Sequence, residues 1–369
     1  MTRRRAICLA ALALTALTLW LLPRVHTQSP SALSGRGNDR TLLRIWSVSS
    51  VGGGESWLKA RLRAFEKANP GVMTYLRTVT PDALYEEDAV LPDVVLYTPG
   101  ALTDPEKLLM PIGNISGVRE PLLRCGRWKG EQFGLPLCYG AYVLAIDSAI
   151  EPHEAATPAP TTLLGRPAAT SPALDTTPAP YPLDAALKAE TPLLAAPGCG
   201  LFSLSCLLPQ EQRPPLPDQL STLTAAEVYR RFQARQCPTC LLTTGQITAQ
   251  NALVAAGKAS AFRTMAPGEV ITDLVWLGSV VKGGSDQAAA LLAFLTATDS
   301  QQALSSQGLH TVREDMRLYY AGVEGEVETA AARALTAVNA YLPPQTIADA
   351  AWQVYQGQTG LGNALLPLL

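Results

Sequence analysis

Cys237-Pro-Thr-Cys240 is the stretch of this 369-residue chain whose residue types and spacing come nearest to bond chemistry, because two thiols separated by two residues can cycle between dithiol and disulfide. Its surroundings argue against that use. The motif follows a polar run, 231–236, rather than a buried strand, and Leu241-Leu-Thr-Thr-Gly245 lacks the amphipathic pattern of a supporting helix. A structural disulfide between Cys237 and Cys240, or a pair of idle thiols, fits this setting better. With Cys199 and Cys206 the pair also offers four thiolates to zinc, but the first spacing is irregular. The three histidines, His26, His153 and His310, stand apart from one another. No HExxH, GxSxG, P-loop or complete dinucleotide fingerprint occurs. The chain therefore reads as a non-enzyme, with no catalytic residue, metal ligand or cofactor assigned.

Gly52-Gly53-Gly54 is a better candidate, for holding a molecule rather than transforming it. It follows the alternating apolar run Leu43, Ile45, Val48 around Trp46, which predicts one buried strand. It precedes a helix whose Leu58, Leu62 and Phe65 fall on one stripe, stopped by Asn69-Pro70-Gly71. A second strand, 72–79, comes next. Strand, glycine loop, helix, strand is the start of an α/β domain, and its loop lies at the strand's carboxyl end, where such folds hold ligands. An anion in front of the turn would be opposed by Glu55.

Further along, Leu91–Tyr97 predicts a third strand and 143–146 another. Residues 151–217 are broken by Thr-Pro-Ala-Pro at 157–160 and 177–180 and by Arg-Pro-Pro at 213–215, so only short helices fit there. Helices are expected over 224–235 and 249–256, and a short strand over 260–262. A strand is expected across 271–281 and a helix from Ser285. A short helix from Asp299 should end at Gly308, followed by a long helix over 326–342 and a last one over 346–355. Strands with helices between them indicate α/β layers.

Composition narrows the classes. The net charge is −2, with 16% charged residues and 47% hydrophobic ones, and the absence of a basic block beyond the N-terminus gives no reason to expect nucleic acid as a partner. Arg3, Arg4 and Arg5 precede an apolar, uncharged stretch, 6–22, which has the form of an export signal. A cleaved signal peptide and an uncleaved membrane anchor both fit its length, and either places the rest of the chain outside the cytoplasm. Beyond Cys8, six cysteines remain for an extracytoplasmic domain, with no pairing fixed by sequence.

Four stretches carry a resemblance. Leu43-Arg-Ile-Trp-Ser47 with Phe65-Glu-Lys-Ala-Asn-Pro-Gly71, Leu91-Pro-Asp-Val-Val95, Gly130-Glu-Gln-Phe-Gly-Leu-Pro136 running into Tyr142-Val-Leu-Ala-Ile-Asp147, and Gly257-Lys-Ala-Ser-Ala261 with 288–313 resemble, in this order, the extracellular solute-binding proteins of ABC importers. The similarity is to the family serving sugars and oligosaccharides, family 1 of the bacterial extracellular solute-binding proteins. It implies an α/β, two-lobed periplasmic-binding-protein-like fold of type II, here with a reduced, proline-rich second lobe. Residues 1–41 would be signal or anchor and tether, 42–135 lobe one, 136–267 lobe two, 268–312 a return to lobe one, and 313–369 C-terminal helices mainly on lobe two. Cys8 lies too early for a lipobox, which departs from the lipoprotein members.

The resemblance further implies a monomer that hands a carbohydrate to ABC permease subunits, touching the membrane through its N-terminal segment if that is uncleaved. Sugar recognition needs flat apolar faces with polar groups beside them. The ligand-binding candidates are therefore Trp46, Tyr97, Tyr139 and Trp276 for stacking, Ser47, Gly53 and Gly54 for hydrogen bonds, and Glu55 for adjacent hydroxyls. Trp128 is assigned to a surface turn. Two alternatives stand beside this reading: a sensing or structural module on the same fold, and an exported thiol-disulfide oxidoreductase using Cys237 and Cys240.

Overall fold

The computed structural model describes residues 40–86, 90–113, 115–147, 198–213, 223–237 and 239–369. The apolar stretch 6–22, Cys8, and the proline-rich run 151–197 with His153 lie outside the described residues. Residues from Leu42 to Leu369 form one compact unit. Among the described residues no helix is long and apolar enough to cross a membrane.

In chain order the unit opens with β1 (Thr41–Ser47), α1 (Gly54–Ala68) and β2 (Val72–Thr78). Helix α1 forms for local reasons. Trp57, Leu58, Leu62 and Phe65 share its buried stripe, Glu55 and Lys67 complement the helix dipole at opposite ends, and Asn69 closes the last turn by donating its side-chain N–H to the Phe65 carbonyl at 2.9 Å. Then come β3 (Val94–Tyr97), α2 (Pro105–Leu108), α3 (Glu120–Cys125) and a small hairpin of β4 (Arg127–Trp128) and β5 (Glu131–Gln132). The hairpin turns at Lys129 and Gly130, both with positive φ; Trp128 adjoins this turn, but it is half-buried on β4 with its ring 5.9 Å from that of Tyr341, rather than a plain surface residue. Strands β6 (Leu135–Tyr139) and β7 (Tyr142–Asp147) follow, then α4 (Cys199–Leu207), α5 (Ala225–Gln233), β8 (Thr239–Thr243) and α6 (Thr244–Ala255). The chain continues through β9 (Phe262–Met265), β10 (Val270–Thr272), β11 (Val275–Val280), α7 (Gln287–Thr296) and α8 (Thr298–Gln301), and a 3₁₀ segment, Gln302–Gln307. It ends with α9 (Val323–Arg333), β12 (Leu335–Ala337), α10 (Pro344–Tyr355) and α11 (Leu361–Leu365).

Two larger sheets organise these elements. One has the order β2-β1-β3-β11-β6, with β1 and β3 parallel and β11 antiparallel to both its neighbours. The other has the order β8-β7-β9, with β7 antiparallel to each flank. Consecutive strands β6 and β7 belong to different sheets, so the chain crosses between them at Gly140-Ala141. It re-enters the first sheet at Asp273-Leu274, coming from β10, which pairs with β12 in a separate two-stranded sheet. The crossings are tied together: the Gly140 amide donates to the Leu274 carbonyl at 2.8 Å, and the Thr272 hydroxyl donates to the Gly140 carbonyl at 2.8 Å. A third segment joins them where Tyr139 and His310 exchange backbone hydrogen bonds. Strand β7 is buried on both faces. Val143 and Ala145 enter one apolar cluster, while Tyr142, Leu144 and Ile146 enter another with α4 and α10, as the two-residue period of a strand requires.

Several sequence expectations change. The strand expected across 271–281 is two strands, because Asp273 turns its half-buried carboxylate toward the Tyr142 hydroxyl and the Cys199 amide. The helix expected over 326–342 ends at Arg333, since Leu335–Ala337 pairs in parallel with β10 instead. Thr243 moves the start of α6 forward to Thr244 with a reciprocal cap involving Gln246. The Cys237–Cys240 motif follows α5 rather than a buried strand, as expected, while its own Thr239 and Cys240 open the wholly buried β8.

The candidate ligand-binding crevice

Loops from the two sheets face one another. After β1 the chain turns through Gly52 and Gly53, and after β3 through Thr98 to Gly100. Ser49 ties these loops together: its side-chain oxygen accepts from the Thr98 amide at 2.8 Å and lies 2.9 Å from the Thr98 hydroxyl, and its carbonyl accepts from the Trp276 indole N–H at 2.8 Å. Opposite stand the first turns of α6 and α10. The Gly100 amide donates to the Ala340 carbonyl at 2.8 Å. A Cβ placed on Gly245, in the first turn of α6, would lie 2.3 Å from the Gly52 carbonyl oxygen, so the two loops meet through glycine. Gly53 is left-handed (φ 85°) and a Cβ there would come within 2.7 Å of the Gln307 carbonyl. Glycine at these positions is what lets backbone approach backbone.

The residues singled out from sequence gather around this crevice, but not with the roles expected. Tyr97, Tyr139 and Trp276 have no exposed surface and Trp46 keeps 7%; in this conformation all four are core side chains, because each ring is taken up by neighbours. Trp276 packs against Trp57, ring centroids 6.4 Å apart, and fills the space where Gly54 would carry a Cβ. The Tyr97 hydroxyl is 2.8 Å from both Ser279 and Tyr341, and burial raises its pKa far beyond the usual range. Trp46 carries the Arg77 guanidinium 5.6 Å from its ring. Ser47 is buried and bonds weakly to the Ser49 carbonyl at 3.4 Å. Gly54 is buried, whereas Gly53 and Glu55 are open to solvent, Glu55 within 3.5 Å of Lys59. Gly245 meets the Gly52 loop across the fold, and only that contact singles it out.

Behind the crossings lies a charged cluster. Glu328 of α9 pairs with Arg119, lies 3.1 Å from His310 Nδ1, and accepts from the Tyr139 hydroxyl at 3.2 Å. Arg119 also donates to that hydroxyl at 2.9 Å. Burial pushes the Glu328 carboxyl up, but the hydrogen bonds from His310 and Arg119 and the Arg119 charge outweigh it and hold the pKa at about 2. Burial, with the Glu328 charge second, raises Tyr139 well above the ordinary phenol range. The cluster fixes α9 to the β6 crossing.

The cysteines offer little chemistry. Cys237 and Cys240 are buried, with their sulfurs 3.3 Å and 3.4 Å from the carbonyls of Thr239 and Cys237, whereas redox cysteines need accessible thiolates. Cys125, Cys138 and Cys199 are buried free thiols whose ionisation burial opposes, and burial with Glu269 nearby pushes Cys206 up to about 12. Among the described residues no group of three or more His, Cys, Asp or Glu is placed to hold a metal ion.

No family model and no curated protein matches this sequence. Solved structures do. The GacH receptor of Streptomyces glaucescens, described unliganded and with acarbose, aligns at 13% identity over 88% of this chain and 96% of its own, with a TM-score of 0.56. Maltose-bound MalE3 of T. maritima aligns at 14% identity over 88% and 97%, with a TM-score of 0.58. An ABC transporter solute-binding protein of Thermotoga lettingae bound to α-D-tagatose aligns at 15% identity over 89% and 98%, with a TM-score of 0.55. Two sheets joined by crossing strands, with facing loops between them, thus give this chain the α/β fold of the sugar-type, MalE-like solute-binding proteins of ABC importers.

Proposed function

We propose that this chain is an extracytoplasmic solute-binding protein that captures a sugar or oligosaccharide for an ABC permease. The observation that carries the reading is the meeting of loops: those at the carboxyl ends of β1 and β3 face the first turns of α6 and α10 beside the crossing strands. Ligand binding would bias an open form towards closure through its greater affinity for the closed one. Gly53 and Glu55, accessible at the mouth, would meet the ligand with Ser49 and Thr98, while Trp46, Tyr97, Tyr139 and Trp276 support the loops from behind. The 6–22 stretch would deliver the domain to the outer face of the cytoplasmic membrane.

The test is calorimetry with maltose, maltotriose and cellobiose, then amino acids and phosphate, on the parent and on Gly245→Ala. Alanine is favoured over glycine within a helix by about 0.5–1 kcal/mol, so weakened binding by a folded G245A reports obstructed closure. Sugar binding weakened at least about tenfold by G245A is expected, a loss of about 1.4 kcal/mol. Tight binding of an amino acid or phosphate with no sugar bound rejects the substrate class. A second reading, a sensing or structural module, is favoured by the direct Gly52–Gly245 approach, which already brings the two halves together. Sugar uptake that survives deletion of the protein would select it.

A further inference from the structure

Beside the crevice, a groove of 420 Å³ opens between α6, the 3₁₀ segment and the loop leading into α9. Tyr319, at its rim, is 89% exposed, so packing does not account for the ring's position. Tyr320, by contrast, is a fixed wall. Its ring lies 4.6 Å from that of His310, and its hydroxyl donates to the Leu309 carbonyl at 3.1 Å. Glu324, 8% exposed, accepts from the Thr248 hydroxyl at 2.8 Å, and a carboxylate has further acceptor sites for a second donor. The remaining polar lining is uncharged: the Asn251 amide and the hydroxyls of Ser305 and Ser306. Among the described residues no lysine, arginine or histidine lines the groove, so its lining does not neutralise an anion and Glu324 repels one.

One aromatic ring left in water beside a fixed one, with a carboxylate, an amide and hydroxyls between them, is complementary to a neutral polyhydroxylated ring that has an apolar C–H face. We propose that this groove is a second carbohydrate site, outside the crevice, taking one or two sugar rings. Tyr319 covers the C–H face, and Glu324, Asn251 and the two serines serve the hydroxyls.

The experiment titrates the full chain with maltose, cellobiose and chitobiose and reads hydroxyl-radical oxidation of Tyr319 beside calorimetry. Expected are protection of Tyr319 by at least one disaccharide, a loss of about tenfold or more in the corresponding affinity in Tyr319→Ala, and retention in Tyr319→Phe. An exposed side chain can be truncated without unfolding the protein, which circular dichroism verifies. Calorimetry reads binding anywhere on the chain while Tyr319 oxidation reads this groove alone, so sugar binding that leaves Tyr319 oxidation unchanged separates failure of this proposal from failure of the crevice reading. Unchanged Tyr319 oxidation at saturating disaccharide overturns the proposal. So does no binding of any of the three sugars, or binding of choline or spermidine in their place with the same dependence on Tyr319.

Discussion

Trp276 shows how a side chain beside the proposed binding crevice can serve it without facing it. Its indole reaches across to the Ser49 carbonyl and packs on Trp57, and so sets the height of the loop after β1. Trp276→Ala should cost about 3–5 kcal/mol, the range for truncating a large buried aromatic, measured by urea unfolding. Sequence placed Trp276 within a strand over 271–281 but not the direction of its side chain. Val275 to Ser279 are all buried, and a strand covered on both faces has no alternation from which to read inside and outside. Glu328 makes a different prediction. Its folded pKa of about 2 lies below the ordinary 4.5, so its contribution to stability is complete above pH 4.5 and is lost as pH falls toward 2. Glu328→Gln should flatten the stability–pH curve in that window. An unchanged acid limb would deny the carboxylate this part.

At the scale of elements, what sequence revealed was local. The stripe of α1, its Asn-Pro-Gly stop and the glycine turn before it each depend on neighbours in the chain. Strand β12 was not visible, because three residues after an alanine-rich helix extend only to meet β10, far away in sequence. The start of α6 was missed for a different reason: the reciprocal cap of Thr243 and Gln246 is local, but was read as the tail of a cysteine motif. Thr243→Ala should cost about 1 kcal/mol in denaturant unfolding through loss of that cap. Gly308→Ala should cost more. The residue is left-handed (φ 67°) and a Cβ would fall 2.2 Å from the Thr248 hydroxyl and 2.6 Å from the Thr244 carbonyl, a backbone atom with little room to move.

For the whole molecule, the order of weak signals carried further than any one of them. Strand, glycine loop, helix and crossing came in the sequence expected of a solute-binding fold, and solved structures of 13–15% identity share it across nearly their full length. The candidate site was legible only as a neighbourhood, because which loop meets which helix is decided by the crossings. Strand β1 begins at Thr41, so a fragment of residues 40–369 keeps it whole. This fragment is expected to fold and to unfold cooperatively, as followed by circular dichroism and fluorescence. Non-coincident transitions by the two probes would indicate that the halves melt separately.

The buried thiols amount to a set of clocks distributed through the fold. Cys125 lies at the end of α3, Cys138 on the crossing strand β6, and Cys199 at the start of α4, each shut away from solvent. A thiol reagent can reach any of them only when that part of the chain opens, so its labelling rate measures the local opening free energy. Cys138 times the crossing itself. A sugar that draws the two halves together should slow the labelling of Cys138 more than that of the partly exposed Cys206, which ticks largely independently of the crevice.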